Sequence, residues 1–256
     1  MSWERRRRMT DILKVDHLNV YYRDANTHFG RKANLKHVVR NVSFTVEEGQ
    51  IVGLLGESGC GKSTIAKAIM GMLPHVEGDI VLQEKHPQMV FQDPFSSLNP
   101  VKTVEFLLRE PLRNLSAISR EEQLERARQM LERVGLDDRY LSRYPRELSG
   151  GQRQRVALAM ALMLEPKFII ADEPVSALDV TIQDQVLDLL VKLQQEMGLS
   201  ILFITHDLRV AYQICSKVLI MKQGELREQG DPEVIYREPQ DVYTRELLRA
   251  ADIDIF

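Results

Sequence analysis

Cysteine is nearly absent from this chain: only Cys60 and Cys215 occur in 256 residues. Two cysteines without metal-ligand spacing support neither a disulfide framework nor a zinc site. A reducing, cytoplasmic setting is therefore expected. Long apolar runs are missing too. The longest, Val156 to Leu164, is far too short to cross a bilayer. Arg5 to Arg8 have no apolar stretch behind them, so no secretory signal is expected. Residues 1–10 read as a solvated basic tail, with a lipid-headgroup contact as the minor option. The net charge is only −3, which gives no global argument for nucleic acid as a partner. Internal repeats and low-complexity segments are not evident. What is present is ordinary for a soluble globular protein, with 44% hydrophobic and 28% charged residues. The length suits one large domain, or one domain with an inserted subdomain.

Against that background one stretch stands out, Gly56-Glu57-Ser58-Gly59-Cys60-Gly61-Lys62-Ser63-Thr64. An apolar run from Ile51 to Leu55 precedes it and reads as a buried strand. Ile65 to Met70 follows and reads as a helix. Strand, glycine-rich loop and helix form the context of a phosphate-binding loop. Gly56 and Gly61 let the backbone turn tightly and approach an anion. Successive N–H groups then form an anion nest at a helix N-terminus. Lys62 is expected on the outer phosphates and the Ser63 hydroxyl on Mg²⁺. A chance glycine-rich turn would lack both flanks.

Upstream, Ile12 to Tyr22 alternates apolar and polar residues and reads as a strand; Val38 to Val46 reads as a second. The polar stretch Asp24 to Lys36 reads as a loop. Two antiparallel strands before the loop strand point to a β-subdomain beside the nucleotide. Tyr22, at a strand end, is a candidate platform for a base, against the plainer reading of an ordinary strand-end tyrosine. Met89 to Gln92 reads as a short strand, and a proline-bounded loop runs from Asp93 to Pro100. From Thr103 to Leu164 the pattern is helical. Ser119 with Glu122 reads as a capping box, and Leu124, Ala127, Leu131 and Val134 share a face that Gly135 ends. Ser149 with Gln152 reads as another capping box. There Gly150 and Gly151 open a second anion site at a helix N-terminus. Two such ends with one nucleotide-holding lysine imply that the second meets a nucleotide on another subunit.

Phe168 to Asp172 reads as a buried strand delivering Asp172 and Glu173 to its C-terminal end, where ligands of open α/β sheets sit. Asp172 suits indirect Mg²⁺ coordination and Glu173 suits polarising a water. Ser176 to Asp179 reads as a loop, Val180 to Met197 as a helix stopped by Gly198. Ser200 to Thr205 reads as a strand delivering His206, a candidate γ-phosphate contact. Val218 to Gly230 reads as a hairpin around Gln223-Gly224, with short helices from Pro232 to Arg237 and from Thr244 to Ala251.

Taken together these motifs resemble the ATP-binding-cassette family of transport ATPases over nearly the whole chain. The Walker A loop matches Gly56 to Thr64, the Q-loop glutamine Gln92, and the signature sequence Leu148 to Gln152. The Walker B strand matches Phe168 to Asp172, followed by Glu173. The D-loop matches Ser176 to Asp179 and the switch histidine His206. A narrower resemblance is to the ATPases of oligopeptide, dipeptide and nickel importers. It rests on Gln92 to Pro100 and on Glu238 to Leu248, where Asp241 and Val242 stand in place of a His-Pro pair.

The resemblance implies an α/β P-loop NTPase with a RecA-like core, an antiparallel β-subdomain and an inserted helical subdomain. Residues 11–98 and 166–230 would form the core with its β-subdomain. Residues 99–165 would form the helical subdomain and 231–256 the short terminal helices. The implied ligands are ATP and Mg²⁺. Tyr22, the loop 56–64, Ser149, Gly151, Gln152 and Asp179 would hold the nucleotide. Ser63, Gln92 and Asp172 would serve the metal, and Glu173, His206 and Gln92 the hydrolysis. A second such ATPase, expected to be a paralogue, would pair head to tail. Two transmembrane permease subunits would dock by Gln92 to Pro100, supplied by an extracytoplasmic solute-binding protein. The expected location is peripheral, on the cytoplasmic face of the inner membrane. The cargo would be peptides or nickel and other metal chelates. The alternative is an accessory ATPase of a soluble complex such as those of phosphonate breakdown.

Overall fold

A computed structural model describes residues 10–23, 35–92, 98–114 and 118–251. The basic tail, most of the 24–36 loop, and the 93–97 part of the proline-bounded loop lie outside them.

Among the described residues the strands form two sheets. The smaller is antiparallel, in the order β2-β1-β4: β1 is Asp11–Arg23, β2 Leu35–Glu47 and β4 Val76–Leu82. The larger has the order β5-β6-β7-β3-β8-β9. Its members are β3 (Ile51–Gly56), β5 (Gln88–Val90), β6 (Phe168–Asp172), β7 (Ser200–Thr205), β8 (Lys217–Lys222) and β9 (Glu225–Gly230). All neighbours pair in parallel except β9, which closes a hairpin against β8.

The larger sheet explains why its central strands are apolar without interruption. Every residue of β3, β6 and β7 is buried, as a parallel sheet covered on both faces requires. Alternation survives as a choice between two cores. Ile51, Leu55, Ile169, Ala171, Ile201, Phe203, Val218 and Ile220 enter one core. Val52, Leu54, Phe168, Ile170, Leu202, Ile204, Leu219 and Met221 enter the other, with the inner faces of β1 and β2. Fully burying one such side chain contributes ~1.5–3 kcal/mol.

Helix α1 (Lys62–Ile69) joins the second core through Ile65, Ala66 and Ile69. Between β5 and β6 lie α2 (Val104–Arg109), α3 (Arg120–Arg133) and α4 (Gly150–Leu162), whose apolar faces join the first core. Helix α5 (Val180–Met197) stops at Gly198 (φ 63°), and α6 is Leu208–Ile214. Helices α7 (Pro232–Arg237) and α8 (Val242–Ala250) end the described chain. None of the described helices is long and apolar enough to cross a membrane.

One expectation needs correction, and two elements went unread. The box at Ser119 is half formed: Ser119 Oγ accepts from the Glu122 amide at 3.1 Å, but the Glu122 carboxylate turns to Arg126 at 2.8 Å. An exposed i,i+4 ion pair wins over the return bond of the box. Strand β4 was not anticipated, because its residues are mostly exposed and carry little alternation. Helix α6 is too short to show a period.

Candidate functional site

The site gathers at the C-terminal ends of β3, β5, β6 and β7. At the end of β3 the chain enters the loop through Gly56, at φ 148°. A Cβ there would lie 2.3 Å from the Met221 carbonyl and 2.9 Å from Cys60 Sγ. Neither neighbour is the free end of a flexible side chain, so glycine is obligatory at this point. Gly56→Ala is expected to destabilise the protein by ~1–3 kcal/mol, the usual cost of overpacking, read as a drop in thermal melting midpoint. An unchanged midpoint would refute the close approach.

Gly61, at φ 113°, ends the loop as the N-cap of α1. Lys62 is buried, and its ammonium donates to the Gly56 carbonyl at 2.7 Å and to the Glu57 carbonyl at 3.0 Å. Glu57, Ser58 and Gly59 are exposed along the loop. Cys60 is buried, its carbonyl held by the Gly224 amide at 2.8 Å, and burial pushes its thiol above the usual range. Ser58, Gly59, Gly61, Lys62, Ser63 and Thr64 line a cleft with Val38, Gln92 and Glu173.

Two carboxylates stand at the end of β6, Glu173 lining the cleft and Asp172 facing its Ser63. Asp172 is 7% exposed, and its Oδ1 has no hydrogen-bond partner. Burial raises its pKa, while the facing Ser63 hydroxyl opposes the shift. Glu173 sits at φ 47°, with its amide donating to the Ile204 carbonyl at 2.9 Å. Such a left-handed residue is strained unless its surroundings hold it. Here that turn carries the carboxylate between two neighbours. Gln92 Nε2, just past β5, donates to Glu173 Oε2 at 3.0 Å. His206 Nδ1, just past β7, lies 3.3 Å from the same oxygen. The strand order β5-β6-β7 is what brings these three side chains together.

The second helix end is built separately. At the start of α4 the capping box is reciprocal: Ser149 Oγ accepts from the Gln152 amide at 3.3 Å, and Gln152 Oε1 accepts from the Ser149 amide at 2.9 Å. Gln152 Nε2 donates on to Tyr140 OH at 3.0 Å. Ser149, Gly151 and Gln152 line a cleft with Tyr140, Arg155 and Ile182 that shares no lining residue with the Lys62 cleft. A Cβ on Gly151 would lie 2.5 Å from Ile182 Cγ2. Gly151 therefore also serves the close packing of α4 on α5, a duty its sequence position does not reveal. Asp179 likewise has a second task, capping α5 by accepting from the Ile182 amide at 3.1 Å.

Tyr22 stands exposed at the end of β1 and is not among the residues lining the Lys62 cleft. Val38 lines it instead. The turn at Gln223-Gly224, read only as a hairpin, supports the loop through the Gly224–Cys60 bond. That contact joins segments far apart in sequence, and no local pattern signals it.

A glycine-rich loop on the central strand of a largely parallel sheet, with an acidic pair at the end of a nearby strand, defines a P-loop NTPase. The sequence profile of the family described as ABC transporter matches residues 39–176. The oligopeptide transport ATP-binding protein OppF of Haemophilus influenzae is 43% identical over 94% of this chain and 78% of its own length. OppF of Lactococcus lactis subsp. lactis is 40% identical over 94% of this chain and 81% of its own. Among solved structures, cbiO1 of Clostridium perfringens, part of the ABC transporter complex cbiONQ, superposes with a TM-score of 0.76. It is 27% identical, covering 95% of this chain and 99% of that one. The ATP-binding cassette MJ0796, in a dimeric post-hydrolysis state bound to ADP and Pi, gives 0.73 at 28% identity, covering 86% and 98%. The chain belongs to the ABC transporter family.

Proposed function

We propose that this chain is the ATP-hydrolysing subunit of a peptide importer. The observation that carries the hydrolytic part is the pairing of Gln92 and His206 on one oxygen of Glu173, beside the Lys62 loop. The cargo follows from relatives named as oligopeptide transport ATP-binding proteins. Uptake of a labelled tripeptide by cells lacking this chain tests it. Restoration by the wild-type chain supports peptide import, and unchanged uptake in its absence overturns it.

In this reading the loop amides and Lys62 neutralise the phosphates. The Asp172 carboxyl, which faces the Ser63 hydroxyl and keeps one buried oxygen without a partner, suits Mg²⁺, which takes few protein oxygens and keeps water and phosphate as its other ligands. Ser63 and Asp172 would hold it, with Gln92 close by. When bound, Mg²⁺ supplies charge neutralisation on the phosphate oxygens. Glu173 orients and deprotonates the attacking water, Gln92 and His206 fix its carboxylate, and His206 reaches the γ-phosphate. Tyr22 offers its exposed ring to the base.

The signature end, Ser149 to Gln152, completes the site of a second ATPase subunit paired head to tail. Its separate cleft supports this reading. Asp179 lies toward that partner, and permease subunits turn closure into transport from a peripheral position at the membrane. Ser149→Arg is expected to leave nucleotide affinity within about twofold and to abolish hydrolysis, because an exposed cap is altered without touching Lys62. Calorimetric titration with a non-hydrolysable nucleotide checks the first part and phosphate release the second. A large loss of affinity in the single chain would mean that both helix ends serve one nucleotide.

A further inference from the structure

The terminal segment 238–248, distinctive in sequence, has no part in the site described so far. Its helix α8 begins at Asp241, whose Oδ1 accepts from the amides of Tyr243 at 2.8 Å and Thr244 at 3.4 Å. The other oxygen of Asp241 meets Arg227 Nη2, on β9, at 3.2 Å. Glu228 on the same strand accepts from the amides of Gln240 at 2.9 Å and Asp241 at 3.2 Å. Asp241 thus caps the helix and ties its start to β9. That double anchoring fixes which residues the first turn buries.

Those residues are Tyr243, 5% exposed, and Thr244, fully buried. The Lys222 ammonium lies over the Tyr243 ring, 4.2 Å from its centroid. Lys222 follows Met221, which pairs with Gly56 in the register of β8 on β3. The ring therefore lies where β3 becomes the phosphate loop. The loop residues that face its hydroxyl are Glu57 and Cys60. Burial pushes that hydroxyl up to about 12, so it remains a protonated donor at neutral pH. It is buried, yet has no hydrogen-bond partner. The Glu57 carbonyl is itself one of the two acceptors of Lys62. One loop residue thus faces the tyrosine of the terminal helix and also accepts from the nucleotide-holding lysine.

We propose that Tyr243 is a positioning residue for the phosphate loop: its ring, fixed by Lys222 and the anchored start of α8, braces Glu57 and so sets the loop conformation that receives the nucleotide. This rests on the reading of the loop as the nucleotide site.

The test is titration of the full chain with a fluorescent ADP analogue, alongside thermal melting with and without the analogue. Tyr243→Ala weakens affinity by about tenfold, or one 1.4 kcal/mol step, and shrinks the rise in melting temperature that the nucleotide produces. Tyr243→Phe keeps the ring and restores affinity to within about twofold of wild type. A tyrosine that only packs would lower the melting temperature of the empty protein and leave affinity unchanged, and that result overturns the proposal. Should Tyr243→Ala fail to fold, Lys222→Met decides. It removes the cation from the ring and leaves the tyrosine buried. A loss of about threefold in affinity, the range of a single cation–π contact, supports the brace, and unchanged affinity overturns it. A wild-type chain that binds no nucleotide would instead sink the reading of the loop itself.

Discussion

Replacing Glu173 with glutamine lowers ATP turnover by ~10²–10⁴-fold, the usual contribution of a positioned base, and leaves nucleotide binding intact. The substitution keeps side-chain length and removes charge and basicity. It also respects the backbone, because glutamine meets the same strain at φ 47° that glutamate does. Binding survives because Lys62, Ser63 and the loop amides are untouched. The carboxamide can still meet Gln92 and His206, but only one of its two heavy atoms accepts, so the convergence at Oε2 loses its negative charge. With hydrolysis blocked, a closed pair of subunits accumulates, since hydrolysis is its exit. Size-exclusion chromatography with Mg·ATP, on this chain and its partner ATPase, reports the pair, and phosphate release reports turnover. Asp179→Asn traps the pair less, because Asp179 caps α5 and lies apart from the water. Near-normal turnover in the Glu173 variant would move the base elsewhere.

Lys62→Ala weakens nucleotide binding by ~10–100-fold. A hydrogen bond to a charged group contributes ~1.5–3 kcal/mol, and each 1.4 kcal/mol is a factor of ten. Among the described residues lining the cleft, Lys62 is the one cation. Its removal takes away the side-chain cation that the loop amides leave beside the phosphates. It also releases the carbonyls of Gly56 and Glu57, so the loop loses two internal bonds and part of its order. Fluorescent-nucleotide titration checks the affinity, and wild-type affinity in this variant would refute the phosphate-loop assignment.

The central sheet was legible because burial on both faces leaves little room for polar residues. Ile51 to Leu55, Phe168 to Ala171 and Ser200 to Thr205 read as strands for that reason. The loop was legible because glycine spacing and Lys62 are local facts. So was the cap at Ser149, whose two bonds span three residues. The convergence on Glu173 was legible only in part. Sequence puts Gln92, Glu173 and His206 at strand ends, but their meeting depends on β6 lying between β5 and β7. Other features were hidden. Strand β4 pairs at the edge of the small sheet with mostly exposed residues, so burial leaves no pattern. The contact of Gly151 with Ile182 and the support of Cys60 by Gly224 exist only once distant segments pack. Val38 lines the Lys62 cleft unannounced for the same reason.

The two carbonyl bonds of Lys62 bear on the thermodynamics of loading. The Lys62 ammonium gives two of its three donors to carbonyls of its own loop, those of Gly56 and Glu57. An arriving anion therefore exchanges one set of acceptors for another, and the net gain at this residue is the difference between the two. The enthalpy drawn from Lys62 is accordingly smaller than a free ammonium would give. A polyphosphate, with several oxygens in a row and a nest of amides waiting for them, is the kind of ligand that can make the exchange favourable.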